Sequence, residues 1–585
     1  MSERYLLAIS IGPVQDFIAA ARRTRDLWFG SYMLSEISKA LAADVERLKG
    51  ELIFPVDVSK AASVPSKILA LFEQKNVGSD SPLFMHAIVH EIEKRIQEKW
   101  IDFANEALAS AKRHGLRINE ELWKLQIEDV IEFYAAWVPV RDRYSLARQR
   151  VEKLLAGRKA FRDFRPGFGK QGVPKSTLDG MRESVLLSNP PEILAKAGIR
   201  ANEHLDAVGL IKRLAKNEPF PSVVRVAIDP WLRGVGSTDE GAAFLHQVIR
   251  LCDRHHMPRL THSVYKNFPY SGSFFLDSRL DSMIKDGEIS AEFRDGFVQY
   301  REQYDIVKKF GFPIPYVAVL MADGDRMGDT IGRIEQIERH REFSKKLSAF
   351  SALAKQIVEE NHGVLIYSGG DDVLAFLPLD TCLKAAKSLQ LSFRSEMDGM
   401  AEGDIYPTLS VGIGIGHCLE PLEYLLRLGR LAEKKAKQPG DLPSEQDRNG
   451  LAILYQTRSG GEALQVRMQW TELPVEQIEA WAELYLYRQL PVKLAHDIRE
   501  MGRFYMSMAS ANQEMIQADV RRMLTKKRSQ GEPISEPVMD KLLAGVDTAE
   551  KLLRLGDLLV MSSKIADCLR QTNRAFAQAT TGGTI

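Results

Sequence analysis

Cysteine is scarce in this chain. Only Cys252, Cys382, Cys418 and Cys568 occur in 585 residues, and no two are spaced as CxxC. That spacing excludes a disulfide framework and argues against a zinc site, so no zinc is expected. The Cys252–His256 run CDRHH is no substitute. One thiolate and two adjacent histidines do not close a tetrahedral site unaided. Long apolar runs are missing too, and Met1–Ser10 lacks the basic start and cleavage site of a signal peptide. The expectation is a cytoplasmic protein with no membrane partner. Net charge is only +1, so overall charge does not advertise a nucleic-acid binder. Any RNA surface has to be a local patch. The 45% hydrophobic and 27% charged residues are ordinary for a globular protein, and the length allows several domains.

What is present centres on Val364–Leu377, VLIYSGGDDVLAFL. Two short apolar runs flank Ser368-Gly369-Gly370-Asp371-Asp372 and read as a β-hairpin. Glycine permits positive φ at the tip, so the backbone bends sharply and admits a ligand closely. Ser368, Gly369 and Gly370 are therefore the expected nucleotide-binding turn. Gly-Gly-Asp also occurs in plain surface turns, but a second stretch supports chemistry here. Tyr316–Met321 reads as a buried strand running into Ala322-Asp323-Gly324-Asp325. Neighbouring strands lie about 5 Å apart, so Asp323 can face Asp371 or Asp372 across one or two ions. Clustered carboxylates are costly without a cation, and Mg2+ (or Mn2+) takes such oxygen ligands together with substrate phosphates. The expected metal ligands are Asp323, Asp371 and Asp372 with the Gly324 carbonyl, and the three acids are the expected catalytic residues. Adjacent strand residues point to opposite faces. Asp371 and Asp372 are thus not equivalent, and which of them ligates directly stays open. Asp325 is an outer candidate.

Around these stretches the pattern is β-α-β-β-α-β: helices at Arg341–Glu360 and Cys382–Met397, a strand at Thr408–Ile415, a further helix Pro421–Lys437 and an edge strand Leu451–Tyr455. This is the palm of polymerases and nucleotidyl cyclases. Tyr5–Ile11 followed by a helix Val14–Leu27 repeats the opening, with Ser10-Ile11-Gly12-Pro13 where the acids stand in the second copy. The fold class is α+β. A degenerate first palm with helical insertions (1–185) is followed by a mostly helical linking domain (186–310). The active palm (311–460) and a C-terminal helical bundle (461–585) complete the chain. Helices are expected at Leu83–Ala111, at Asn119–Tyr134 with Asn119 as N-cap, and through much of Arg182–Ser222, with a strand at Val223–Ile228.

Seven stretches resemble the large subunit of type III CRISPR–Cas effector complexes, most closely the type III-B (Cmr) branch. They are Ile9–Ser35, Glu132–Val140, Gly172–Gly180, Leu205–Arg213, Met321–Gly328, Tyr367–Phe376 and Pro407–His417. GGDD alone is weakly specific; with the N-terminal stretch, in that order, it is strongly so. The resemblance implies a target-RNA-activated nucleotidyltransferase that joins ATP into cyclic oligoadenylates for antiviral defence. It also implies guide RNA, target RNA and other type III-B subunits as partners. AEKKAK resembles the helix end of GGDEF cyclases, which implies Lys437 as the phosphate-binding lysine and Lys434 as the fallback; an ordinary basic helix end favoured by the helix dipole is the equal alternative. An inert scaffold subunit and a free-standing GGDEF-like cyclase are the competing readings. Longer relatives carry an N-terminal HD nuclease. Here the first palm strand begins at Tyr5, and His496-Asp497 has no partner histidines, so no DNA cleavage is expected.

Arg141–Lys175 holds eleven Lys or Arg against three acids, with Tyr144, Phe161, Phe164 and Phe168 interleaved. Basic residues neutralise phosphates and aromatics stack on unpaired bases. Arg158, Lys159, Arg162, Arg165 and Lys170 are the expected RNA or subunit contacts. Arg521, Arg522, Lys526, Lys527 and Arg528 form a second basic stretch, whereas Arg22, Arg23 and Arg25 read as a solvated helix face.

Overall fold

The computed structural model describes residues 3–58, 63–74, 81–128, 130–141, 143–161, 172–216, 218–437, 447–461, 463–508 and 512–572. Four strands, β1 (Glu3–Gly12), β2 (Glu51–Phe54), β3 (Lys67–Gln74) and β4 (Glu132–Pro139), form an antiparallel sheet in the order β2-β3-β1-β4. Both faces of β1 are covered. Leu7, Ile9 and Ile11 pack under the Thr24–Arg47 and Ser81–Arg113 helices, and Leu6 and Ala8 under Tyr144–Ala160. Burial on both faces explains why β1 reads as a continuous apolar run and not as an alternation.

The second sheet has six strands in the order β10-β9-β8-β5-β7-β6. They are β5 (Tyr316–Asp325), β6 (Val364–Gly369), β7 (Asp372–Leu377), β8 (Thr408–His417), β9 (Gly450–Tyr455) and β10 (Leu464–Gln469). The hairpin and its flanking helices lie as expected. β9 pairs parallel to β8, which requires the crossover supplied by the Leu422–Lys437 helix. β9 is not the edge, because β10 covers it. The sheet therefore runs past residue 460, where the sequence suggested the palm would end. Among the described residues, five helices between Pro474 and Thr572 form the C-terminal unit, and Ala549–Thr572 packs back on β10 and on the Asp229–Gly236 helix. No described helix is long and apolar enough to cross a membrane.

Several expectations are corrected. The Val14–Leu27 helix is two, Gln15–Ala19 and Thr24–Arg47. The break is held by the buried Lys212 ammonium, which donates to the carbonyls of Phe17 and Ala20. Asn119 does cap a helix, accepting from the Leu122 N–H at 3.0 Å, but that helix ends at Ile127. Glu132–Tyr134 instead pairs with β1, where aromatic and β-branched residues fit a half-buried edge. Val223–Ala227 is a helix capped by Ser222, not a strand. Among the described residues of 182–222 only Pro191–Lys196 and Ala207–Leu214 are helical. Arg25 is not on a solvated face: it donates to the carbonyls of Lys212 and Ala215 at 2.6 and 2.8 Å, closing the end of the Ala207–Leu214 helix.

Candidate active site

Register decides which acids meet. β5 and β7 pair antiparallel with Ala322 opposite Val373. Continuing one and two steps sets Asp323 opposite Asp372 and Gly324 opposite Asp371. Ala318, Leu320 and Ala322 share a core with Val373 and Ala375, whereas Val317, Val319 and Met321 share another with Phe376. Side chains alternate, so Asp323 and Asp372 occupy the face covered by the Leu422–Lys437 helix. Asp371 belongs to the opposite face. Its carboxylate lies over Gly324, where an added Cβ would stand 2.8 Å from Asp371 Oδ2. The Gly324 N–H donates to that carboxylate. Gly370 turns the chain with φ +76°, and a Cβ on Gly369 would collide with the Tyr367 hydroxyl.

The covering helix is drawn in by glycine. Gly412, Gly414 and Gly416 alternate on β8 and face it. A Cβ on Gly414 would lie 2.6 Å from the Gly429 nitrogen, and one on Gly412 would collide with the Glu433 nitrogen. Backbone therefore rests on backbone, and the last turn of the helix hangs over the acids. Lys437 Nζ is ion-paired to Asp323 Oδ2 and lies 3.1 Å from Glu433 Oε1. Burial and the Arg448 guanidinium depress Lys437 to about 8, so it is charged at neutral pH. Burial, then the Asp372 charge, raise Glu433 above the usual carboxylate range. Burial and then the Asp372 charge push Asp371 up as well. Asp372 is pushed the same way by the protein around it, although its side chain reaches solvent.

The remaining candidates fall elsewhere. Asp325 is 2% exposed and saturated: it accepts from Ser410 at 2.8 and 2.9 Å, Thr408 at 2.7 Å and the Asn449 N–H at 3.0 Å. It braces β5 against β8. The Ser368 hydroxyl is buried against the carbonyl and hydroxyl of Ser351, so only its backbone belongs to the turn. Lys434 is exposed. Lys159 lies 3.3 Å from the Ser10 hydroxyl and Arg158 bonds its own helix end at the Phe161 carbonyl. Arg162, Arg165 and Lys170 lie outside the described residues. Arg148 and Tyr144 leave the basic strip altogether: Arg148 is 1% exposed and donates to the carbonyls of Ile331 and Gly332, and Tyr144 bonds His340. Arg521 pairs with Glu536 and Asp540, and Lys527 with Asp497. Sequence reasoning missed Glu433, whose only signal is its place four residues before Lys437.

Among the described residues no three His, Cys, Asp or Glu converge as a ready-made metal cage. What the register brings side by side is the pair of carboxylates Asp323 and Asp372, with the Gly324 backbone next in the strand. Hard oxygens in that number suit Mg2+, which takes one or two carboxylates and completes its shell with phosphates and water. The Lys437 ammonium on Asp323 shows that this carboxylate faces a cation. The donor set fits the ion.

Two sheets with the strand-helix-hairpin order, one carrying acids at the hairpin tip, define a protein built on two palm folds with a helical bundle. Residues 316–452 match the family described as Cas10/Cmr2, second palm domain, and residues 6–105 match the CRISPR-associated protein Cmr2, N-terminal. The first match spans the second sheet as far as β9, and the other covers the opening of the first sheet. It is 27% identical to the CRISPR system Cmr subunit Cmr2 of Pyrococcus furiosus over 78% of its own length, and spans 62% of that relative. In fold it is similar to a chain of the cryo-EM structure of Type III-B Cmr-beta in the apo state. The TM-score is 0.62 at 13% identity, covering 97% of this chain and 82% of that one. A chain of Cmr-beta bound to cognate target RNA gives 0.61 at 13% identity, covering 97% and 83%.

Proposed function

We propose that the chain is the large subunit of a type III-B effector complex and acts in the cytoplasm as a nucleotidyltransferase, converting ATP into cyclic oligoadenylates when target RNA binds. The observation that carries this reading is the meeting of Asp323 and Asp372 on one face of a palm sheet, beside the Lys437 ammonium. Mg2+ or Mn2+ held by Asp323, Asp372 and the Gly324 carbonyl would acidify an attacking ribose hydroxyl and neutralise the leaving pyrophosphate. Lys437 supplies the point charge that binds the triphosphate. The Gly369–Gly370 turn lets backbone approach it closely. Asp371 bonds the Gly324 N–H and so fixes the strand that presents Asp323. Positioning and charge neutralisation suffice for phosphoryl chemistry, and no His or Ser nucleophile is required. Guide RNA, target RNA and other type III-B subunits complete the assembly. The Asp497 carboxylate is occupied by Lys527, which supports reading His496-Asp497 as a surface contact and not as a nuclease site.

One assay tests this. The assembled complex is incubated with guide RNA, target RNA, Mg2+ and labelled ATP or GTP. Oligoadenylates that depend on target RNA are expected. Cyclic di-GMP without RNA would make the chain a GGDEF-like cyclase, and no product despite target binding would make it an inert scaffold. Asp371→Ala with Asp372→Ala is expected to abolish synthesis while assembly and RNA binding persist; lost assembly would make these acids structural.

A further inference from the structure

We propose that Lys437 is a tethered cation that guards Asp323 until a metal-bound nucleoside triphosphate arrives, with Glu433 as the second seat for its ammonium. The inference rests on the nucleotidyltransferase reading above and assigns a role to Glu433, which that reading leaves idle.

Three groups stand in a row: Asp323 Oδ2, Lys437 Nζ and Glu433 Oε1, with side chains 24%, 28% and 26% exposed. All three lie at the rim, where a ligand reaches them. An ammonium bonded to Asp323 Oδ2 occupies the approach that a metal ion bound to that oxygen would use. Two positive charges on one carboxylate oxygen repel each other at short range, so a metal ion binds there more readily once the ammonium moves aside.

The lysine leaves by its side chain, because its backbone is pinned. The Lys437 carbonyl accepts the Arg448 N–H at 2.7 Å. Arg467, on the strand β10, holds the Ala436 carbonyl at 3.4 Å and the Arg448 carbonyl at 3.1 Å. One turn back, the Glu433 backbone sits directly on Gly412. Four methylenes on a fixed anchor let the ammonium swing while its helix stays in place. Glu433, at i−4 on the same helix face, is already within reach of it.

A metal ion alone has to displace the ammonium from Asp323 with nothing to receive it but Glu433. A metal ion that comes with a triphosphate brings the lysine a better partner. Metal and nucleotide therefore bind cooperatively through a residue of the chain itself, and the empty site keeps its carboxylates neutralised.

The test is Mn2+ binding to the full chain, followed by the EPR signal of the free ion, with and without a non-hydrolysable ATP analogue. Wild type is expected to bind Mn2+ weakly alone and more tightly with the analogue. Lys437→Met should tighten nucleotide-free binding by about tenfold and shrink the analogue's enhancement. Lys437→Gln should move the same way, which guards against a folding artefact of one variant. Glu433→Gln should weaken nucleotide-free binding in the wild-type background and have little effect in Lys437→Met, since it acts through the lysine. Additive effects would make Glu433 a direct metal ligand and overturn its role here. Asp372→Asn separates the two levels of the claim. If it does not weaken Mn2+ binding, the active-site reading itself fails. If it does, and Lys437→Met leaves the nucleotide-free affinity unchanged, only the guard fails.

Discussion

At the scale of single residues, Asp371 and Asp372 look interchangeable in the string GGDD, yet the register puts them on opposite faces of the sheet. Asp372 shares its face with Asp323 and Lys437, whereas Asp371 lies over Gly324. Asp372→Asn is therefore expected to remove nearly all synthesis. Asp371→Asn should cost about 10–100-fold, the range for groups that orient a ligand without touching the metal. Equal losses measured on the assembled complex would contradict the assignment. Asp371 also has a pH signature. Burial and its neighbour's charge make the folded protein hold the Asp371 proton more tightly than the unfolded chain does. Its contribution to stability thus declines as pH rises above the ordinary aspartate value of about 3.9. In metal-free buffer the Tm advantage of Asp371→Asn over wild type should grow as pH rises from 4 toward neutrality, and a constant difference would refute the shift. The three acids and Lys437 were legible because they sit in short motifs. Glu433 was not, because its role needs a helix laid over strands from far away in the chain.

At the scale of elements, the alternate glycines Gly412, Gly414 and Gly416 do for the Leu422–Lys437 helix what no side chain could: they let it rest on β8 and hang its last turn over the acids. Gly412→Ala forces a methyl group into the Glu433 backbone. Overpacking of this kind costs about 1–3 kcal/mol, and any shift of the helix displaces Glu433 and Lys437 together. The expected result is a lower urea midpoint together with weaker ATP binding. Gly332→Ala, with nothing near the added methyl, is the control expected to stay near wild type in both. The crossover helix and the hairpin were readable from their periodicity. β10 was not recognised, although Leu464, Val466 and Met468 alternate as a half-buried strand should. It follows Ser459-Gly460-Gly461, which reads as a break in the palm, and its pairing with β9 is visible only in three dimensions. Val223–Ala227 misled in the opposite direction. Its β-branched residues suggest a strand, and tertiary packing over a Ser222 cap overrides that propensity.

At the scale of the whole molecule, the duplication was plain in the repeated strand-helix opening, but the joint between the two palms was hidden in residues that read as an RNA-facing strip. Arg148 crosses from the first palm to the carbonyls of Ile331 and Gly332, which close the short helix after β5. Val56 N–H donates to Ser344 Oγ at 3.0 Å, and Tyr144 Oη lies 2.6 Å from His340 Nδ1. The last contact makes the joint sensitive to acid. His340 is 3% exposed, and burial, with the Arg148 and Lys67 charges, depresses it to about 3. An unfolded chain takes up a proton there near pH 6.5, whereas the folded protein does not until about 3. The unfolded state binds more protons throughout that interval, so stability falls as pH drops, by up to about 1.4 kcal/mol per pH unit from this group. His340→Gln keeps an acceptor for Tyr144 and cannot titrate. Urea midpoints measured at pH 7.5 and 5.5 should therefore drop further for wild type than for His340→Gln. Parallel drops would mean that the imidazole is charged in the folded state, and that the two palms meet there differently from the contact described.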